Sequence, residues 1–87
     1  MTDWRINVSI DDMEISLTNH AKVRMFQRGI TQDDITAALE RPDAKNQSFK
    51  QRIAVRKKIP AGTLEVIYRE HTSKNIIIIT CYWIKEA

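Results

Sequence analysis

Asn75-Ile76-Ile77-Ile78-Ile79-Thr80-Cys81-Tyr82-Trp83-Ile84 is apolar on both phases of a period-two repeat. β-Branched and aromatic residues in such a run predict a strand, and a strand apolar on both faces belongs in the interior of a sheet. Its neighbours follow by working back along the chain. His71-Thr72-Ser73-Lys74 reads as a turn, and Thr63 to Arg69 as the preceding strand, with Leu64, Val66 and Tyr68 on one face. Pro60-Ala61-Gly62 is the next turn. Before it, Arg52 to Ile59 sends Ile53 and Val55 one way and Arg52, Ala54, Arg56 and Lys58 the other. Ala44 to Phe49 reads as a short strand.

Upstream of Pro42 the period becomes helical. Thr31 is placed to cap one helix, with Asp33 and Asp34 in its first turn, where the helix dipole favours negative charge. Ile30 and Ile35 sit at the positions of a hydrophobic staple. Ile35, Ala38 and Leu39 form its inner face, and Arg41-Pro42 ends it. An earlier helix starts at Thr18 or Asn19 and stops at Gly29, with Val23, Phe26 and Ile30, helped by Met25, as its expected buried stripe. Trp4 to Ile10 and Met13 to Leu17 alternate around Asp11-Asp12, as in a short hairpin or a pair of edge strands. The expected fold is α+β: two N-terminal helices, preceded by a short β-hairpin, packed on one face of a mainly antiparallel sheet of about four strands. The other face is left open, with the basic residues of 52–59 on it or its rim. Residues 1–87 are expected to form one domain, with 1–17 as a hairpin extension.

The chain has 87 residues, and one this short buries only about 60–65% of its unfolded surface, so self-association or a partner would add stability. Hydrophobic residues are 43% and charged residues 29%, the balance of a globular domain. Neither a membrane span nor a signal peptide can be read from the chain, so the expected location is cytoplasmic. A single cysteine, Cys81, excludes an internal disulfide. Two histidines far apart give no metal-ligand spacing, and no cofactor is called for.

The net charge of +3 hides an asymmetry. Residues 1–17 carry four acids and one base, whereas residues 44–64 carry six bases (Lys45, Lys50, Arg52, Arg56, Lys57, Lys58) and no acid. That is the electrostatic footprint of a nucleic-acid binder, and equally of a plain solvated face. On the first helix, His20, Arg24 and Arg28 fall at i, i+4 and i+8 and stack along one side. Like charges in a row repel, and an anion such as a phosphate would make sense of them. His20 can exchange a proton near neutral pH. Arg24 and Arg28 suit a phosphate clamp. Tyr68, Thr80 and Tyr82 offer hydroxyls on nearby strands. These are the parts for metal-free RNA cleavage, in which one group takes the 2′-hydroxyl proton, another protonates the leaving oxygen, and cations stabilise the phosphorane. Each has a plainer reading too: a capping histidine, an Arg28 that complements the helix dipole, an Arg24 paired with Glu65 or Glu70, and a Tyr68 and Thr80 that simply suit strands. Cys81, in an apolar strand, reads as an inert buried thiol.

The string His20-Ala21-x-x-Arg24-Met25-x-x-Arg28-Gly29-Ile30, a short helix ending at Pro42, and the segments Leu64-x-Val66-x-Tyr68 and Ile77-Ile78-Ile79-Thr80 resemble the DUF4258 family over about residues 17–83. The resemblance implies a RelE/ParE-like toxin fold within the barnase-, colicin- and RelE-like group of metal-independent nucleases. It carries the catalytic positions to His20, Arg24, Arg28, Tyr68 and Thr80. The nucleic-acid contacts fall to Lys50, Arg52, Arg56 and Lys58. The acidic hairpin at 4–16 departs from the minimal pattern, and there is no lysine/arginine-dense C-terminal tail of ribosome-dependent RelE toxins.

Three readings follow. The first is a toxin-like, metal-independent endoribonuclease with His20 as acid/base. The second is a non-catalytic module that binds RNA or a partner such as an antitoxin-type protein, with a homodimer as a further partner state and no membrane role. The third is a buried His20-Arg24-Arg28 network that only joins helix to sheet.

Overall fold

The computed structural model describes residues 5–6, 14–72 and 75–84, with side chains from Glu14 onward. Helix α1 spans Asn19–Arg28 and helix α2 Gln32–Glu40. The strands are β1 (Arg5–Ile6), β2 (Glu14–Leu17), β3 (Ala44–Gln47), β4 (Ile53–Ile59), β5 (Gly62–Thr72) and β6 (Asn75–Ile84).

The architecture is α+β, with two helices on one face of the sheet, but the sheet exceeds the expected four strands. It has six, in the order β1-β2-β6-β5-β4-β3, β1 being only two residues long. It is also mixed. β2 pairs parallel to β6, with Ile15 opposite Ile76 and Leu17 opposite Ile78, while every other pair is antiparallel. β2 is thus joined along its whole length to β6. Arg5–Ile6 does pair antiparallel with β2, and the rest of the expected hairpin lies outside the described residues. β6 is interior, as its two apolar faces require. β3 is exposed throughout and forms one edge, polar and carrying Lys45, which discourages pairing with another chain. β5 runs on to Thr72, so His71 lies in a strand and not in a turn.

The helix termini follow the sequence closely. The Thr18 hydroxyl accepts from the Ala21 N–H at 3.1 Å and donates to the Ile79 carbonyl at 2.9 Å, so the cap of α1 is also its anchor on β6. Gly29 ends α1 at φ +67°, the left-handed region open to glycine, and its N–H closes on the Met25 carbonyl. At the other end of α1, the Trp83 indole N–H donates to the Arg28 carbonyl at 2.8 Å. Two bonds, at Ile79 and at Trp83, thus lay α1 along the second half of β6. Thr31 and Asp34 form a reciprocal capping box on α2.

The core lies between the helices and the sheet. It contains Ile15 and Leu17 of β2, Ala21 and Met25 of α1, Ile35 and Ala38 of α2, Val55, Leu64, Val66 and Tyr68 of β4 and β5, and Ile76, Ile78 and Cys81 of β6. The buried stripe of α1 is only partly the expected one: Met25 and Ile30 are buried as expected, but Val23 and Phe26 are not. Val23 is 50% exposed and Phe26 90%, while Ala21 and Met25 face the sheet. The helix lies so close over β6 that the contact is made by a small residue and a flexible one. Leu39 packs partly, as expected. Among the described residues no helix is long and apolar enough to cross a membrane.

Candidate nucleic-acid interface

The sheet divides the residues singled out in the sequence. On the helix side, His20 and Arg28 are exposed and Arg24 is half-buried. Arg24 Nε lies 3.5 Å from His20 Nε2, at the outer limit of a hydrogen bond, so this pair is a loose contact. Tyr68 is on the same side but only 7% exposed, sealed in the core. Cys81 is fully buried there, and burial pushes its thiol up to about 11, with Arg24 pulling weakly the other way; it is no nucleophile near neutral pH.

Thr80 lies on the opposite side. It is opposite Ile67, next to the fully buried Cys81 and two residues before Tyr82, so strand alternation puts it on the face without helices. A bulge between Ile67 and Tyr68 sets Ile79 and Thr80 against the single residue Ile67. His20, Arg24 and Arg28 therefore do not converge with Thr80, nor with an accessible Tyr68. The suggested Arg24–Glu65 pair does not form either, because Glu65 is engaged on the open face.

The open face holds the arrangement that the sequence reading missed. Cross-strand register puts Arg56 opposite Glu65 and Glu65 opposite Tyr82. Arg56 Nε donates to Glu65 Oε1 at 2.6 Å, and the Tyr82 hydroxyl donates to Oε2. Glu65 is 7% exposed and is the one charged or polar residue in that buried class among those described. A buried carboxylate is more informative than an exposed one, because it must be matched by its neighbours. Here the match is complete: one oxygen takes a guanidinium, the other a phenol. The carboxylate raises Arg56 above its ordinary value, through the hydrogen bond first and charge second. Burial, then the bond to Glu65, pushes the Tyr82 hydroxyl up to about 12, so it stays protonated as a donor. The signal was legible: with Ile59 opposite Gly62 across the Pro60-Ala61 turn, hairpin register puts Arg56 opposite Glu65.

Arg52, Arg56 and Lys58 lie on this open face at the alternate positions the sequence predicted. The Arg56 side chain is 52% exposed although its Nε is held by Glu65. Asp43 holds the start of β3 to β4: its carboxylate accepts from the Lys58 N–H at 2.8 Å and lies 3.6 Å from Lys57 Nζ. The Lys58 N–H, with help from the two lysine charges, keeps the Asp43 carboxyl below its usual value against a smaller opposing desolvation. Lys50 sits in a short 3-10 turn at Phe49–Gln51, before β4. Among the described residues no group of three or more His, Cys, Asp or Glu side chains is placed to hold a metal ion.

No curated protein and no solved structure matches the chain. The family model described as "Domain of unknown function (DUF4258)" matches residues 17–83, from the end of β2 into β6, and so spans both helices and the open-face cluster. The chain belongs to the DUF4258 family.

Proposed function

We propose that this domain binds RNA through the phosphodiester backbone, using the open face of the sheet. The observation that supports this is the fixed Arg56 guanidinium. It is bonded at Nε to a buried carboxylate while its side chain as a whole stays 52% exposed, which suits further hydrogen bonds to a phosphate. Arg52, just before β4, and Lys58, within it, extend the positive row. Filter binding of a mixed RNA pool tests it. Affinity should fall steeply with salt and weaken in Arg56→Ala. Equal binding by wild type and Arg56→Ala at low salt would sink the assignment.

A second reading, a toxin-like, metal-independent endoribonuclease of the RelE/ParE-like group, is favoured by the Glu65–Tyr82 pair beside Arg56. To act, Glu65 would release one of its two bonds and accept the 2′-hydroxyl proton as the 2′-oxygen bonds to phosphorus. The 5′-oxygen departs with a proton taken from water, to which Glu65 afterwards returns its own, leaving a 2′,3′-cyclic phosphate and a 5′-hydroxyl. Arg56 would stabilise the phosphorane charge. His20 beside Arg24 is the competing proton-transfer group, on the other side of the sheet. Incubation of RNA in EDTA with wild type, His20→Ala and Glu65→Gln separates the two. Cleavage lost only in His20→Ala assigns the helix ridge, and cleavage lost only in Glu65→Gln assigns the open face. Intact RNA with all three proteins leaves a binding module, for which an antitoxin-type protein or a second copy of the chain is the next partner to seek.

A further inference from the structure

Phe49 is 77% exposed, within the longest stretch of the chain without an acid, residues 44–64. The backbone that presents it is strained. Lys50 and Gln51 have φ of +54° and +63°, two consecutive side-chain-bearing residues in the left-handed region. The turn is closed by the Ser48 N–H on the Arg52 carbonyl at 2.6 Å and by the Arg52 N–H on the Phe49 carbonyl at 3.1 Å. An exposed ring and a strained pair both cost stability, and neither returns any to the core. Strain kept without structural return points to a ligand. Lys50 and Arg52 follow Phe49 in the same turn, whose backbone bond from Arg52 to Phe49 keeps the two residues together, and Arg52 leads into the β4 row of Arg56 and Lys58.

We infer that Phe49 is a stacking platform for an unpaired RNA base, flanked by Lys50 and Arg52 on the adjoining phosphates, so that the domain selects single-stranded over duplex RNA. The inference rests on the RNA-binding reading and deepens it. A flat apolar ring attracts any base by its π-face, whereas the cations bind only the backbone. In a duplex the bases are already stacked on each other, and the ring has no access to them.

The test uses the whole chain and a labelled oligouridylate, with an abasic ribose-phosphate oligomer and a duplex of the same length as controls. Phe49→Ser should weaken oligouridylate binding by about 5- to 150-fold, the range for one stacked base, with the slope of affinity against salt unchanged. Phe49→Trp should restore it. The abasic oligomer should bind wild type and Phe49→Ser alike, and the duplex should bind wild type no better than the abasic oligomer does. Melting temperature should be the same for wild type and both Phe49 variants, since that side chain is exposed. Oligouridylate binding that Arg56→Ala weakens but Phe49→Ser does not overturns the stacking role and leaves the backbone reading intact. A duplex that binds as tightly as oligouridylate overturns the single-strand preference. No binding of any RNA at low salt overturns both readings.

Discussion

The two faces of β5 are made by alternate residues of one strand, yet they obey different rules. Leu64, Val66 and Tyr68 face the helices in a core of fully apolar contacts. Glu65 and Ile67 face away, and there a buried carboxylate is matched bond for bond by Arg56 and Tyr82. The first face owes its stability to area removed from water, which is insensitive to small errors of direction. The second depends on direction, because losing any one partner strands the others. A surface of the second kind is expensive merely to hold strands together, and it leaves cations turned outward.

The comparison can be pressed at four points. Ile78→Ala, at a fully buried position beneath α1, should cost about 2–5 kcal/mol in denaturant unfolding. A loss near zero would mean that the helix side is not the main core. Glu65→Gln should cost less, about 1–3 kcal/mol, because Arg56 can turn to water while the Tyr82 hydroxyl keeps an acceptor. Its effect on RNA affinity should exceed what that stability loss explains, measured at a temperature where both proteins are folded.

Tyr82→Phe tests the polar face by pH. The hydroxyl titrates near 10 when unfolded and near 12 when folded. Between those values the unfolded chain holds fewer protons, so stability, complete below about pH 10, is lost as pH rises toward 12. The contribution should be about 1 kcal/mol or less after screening at this partly open site. The phenylalanine variant should lose that part of the alkaline slope, and an unchanged slope would show that the bond to Glu65 does not matter. Smallest of all, Thr80→Val, at a half-buried position outside the core, should change stability by no more than about 0.5 kcal/mol. A larger loss in chemical denaturation would mean that its hydroxyl is held by a partner.

Local chemistry was legible in the sequence wherever neighbours in the chain decide it. The Thr31–Asp34 capping box, the left-handed Gly29, the end of α2 at Arg41-Pro42 and the inward trio Leu64, Val66 and Tyr68 all follow from spacing alone. What failed depends on partners far along the chain. Val23 and Phe26 are larger and more apolar than Ala21, so periodicity favours them, but the closeness of α1 to β6 selects the small residue. The parallel match of Ile15 to Ile76 spans most of the chain, and nothing in either segment announces it. The candidate site divides in the same way. Helical spacing does place His20 beside Arg24, and alternation does put Arg52, Arg56 and Lys58 on one face. The separation of Thr80 from Tyr68 could not be foreseen, because it depends on the bulge at Ile67/Tyr68 and on which face the helices cover.

The parallel seat of β6 between β2 and β5 also sets an order of events in time. The interior strand of the sheet is the last described element to leave the ribosome, while one of its two partners, β2, is among the first. Until β6 arrives, Ile15 and Leu17 have no strand to lie against, and α1 has neither Ile79 nor Trp83 to grip. The β4–β5 hairpin, whose contacts are local, is able to form early and wait. Folding should therefore be gated by one late, long-range insertion, and the nascent chain should remain protease-sensitive until residues 75–84 have cleared the exit tunnel.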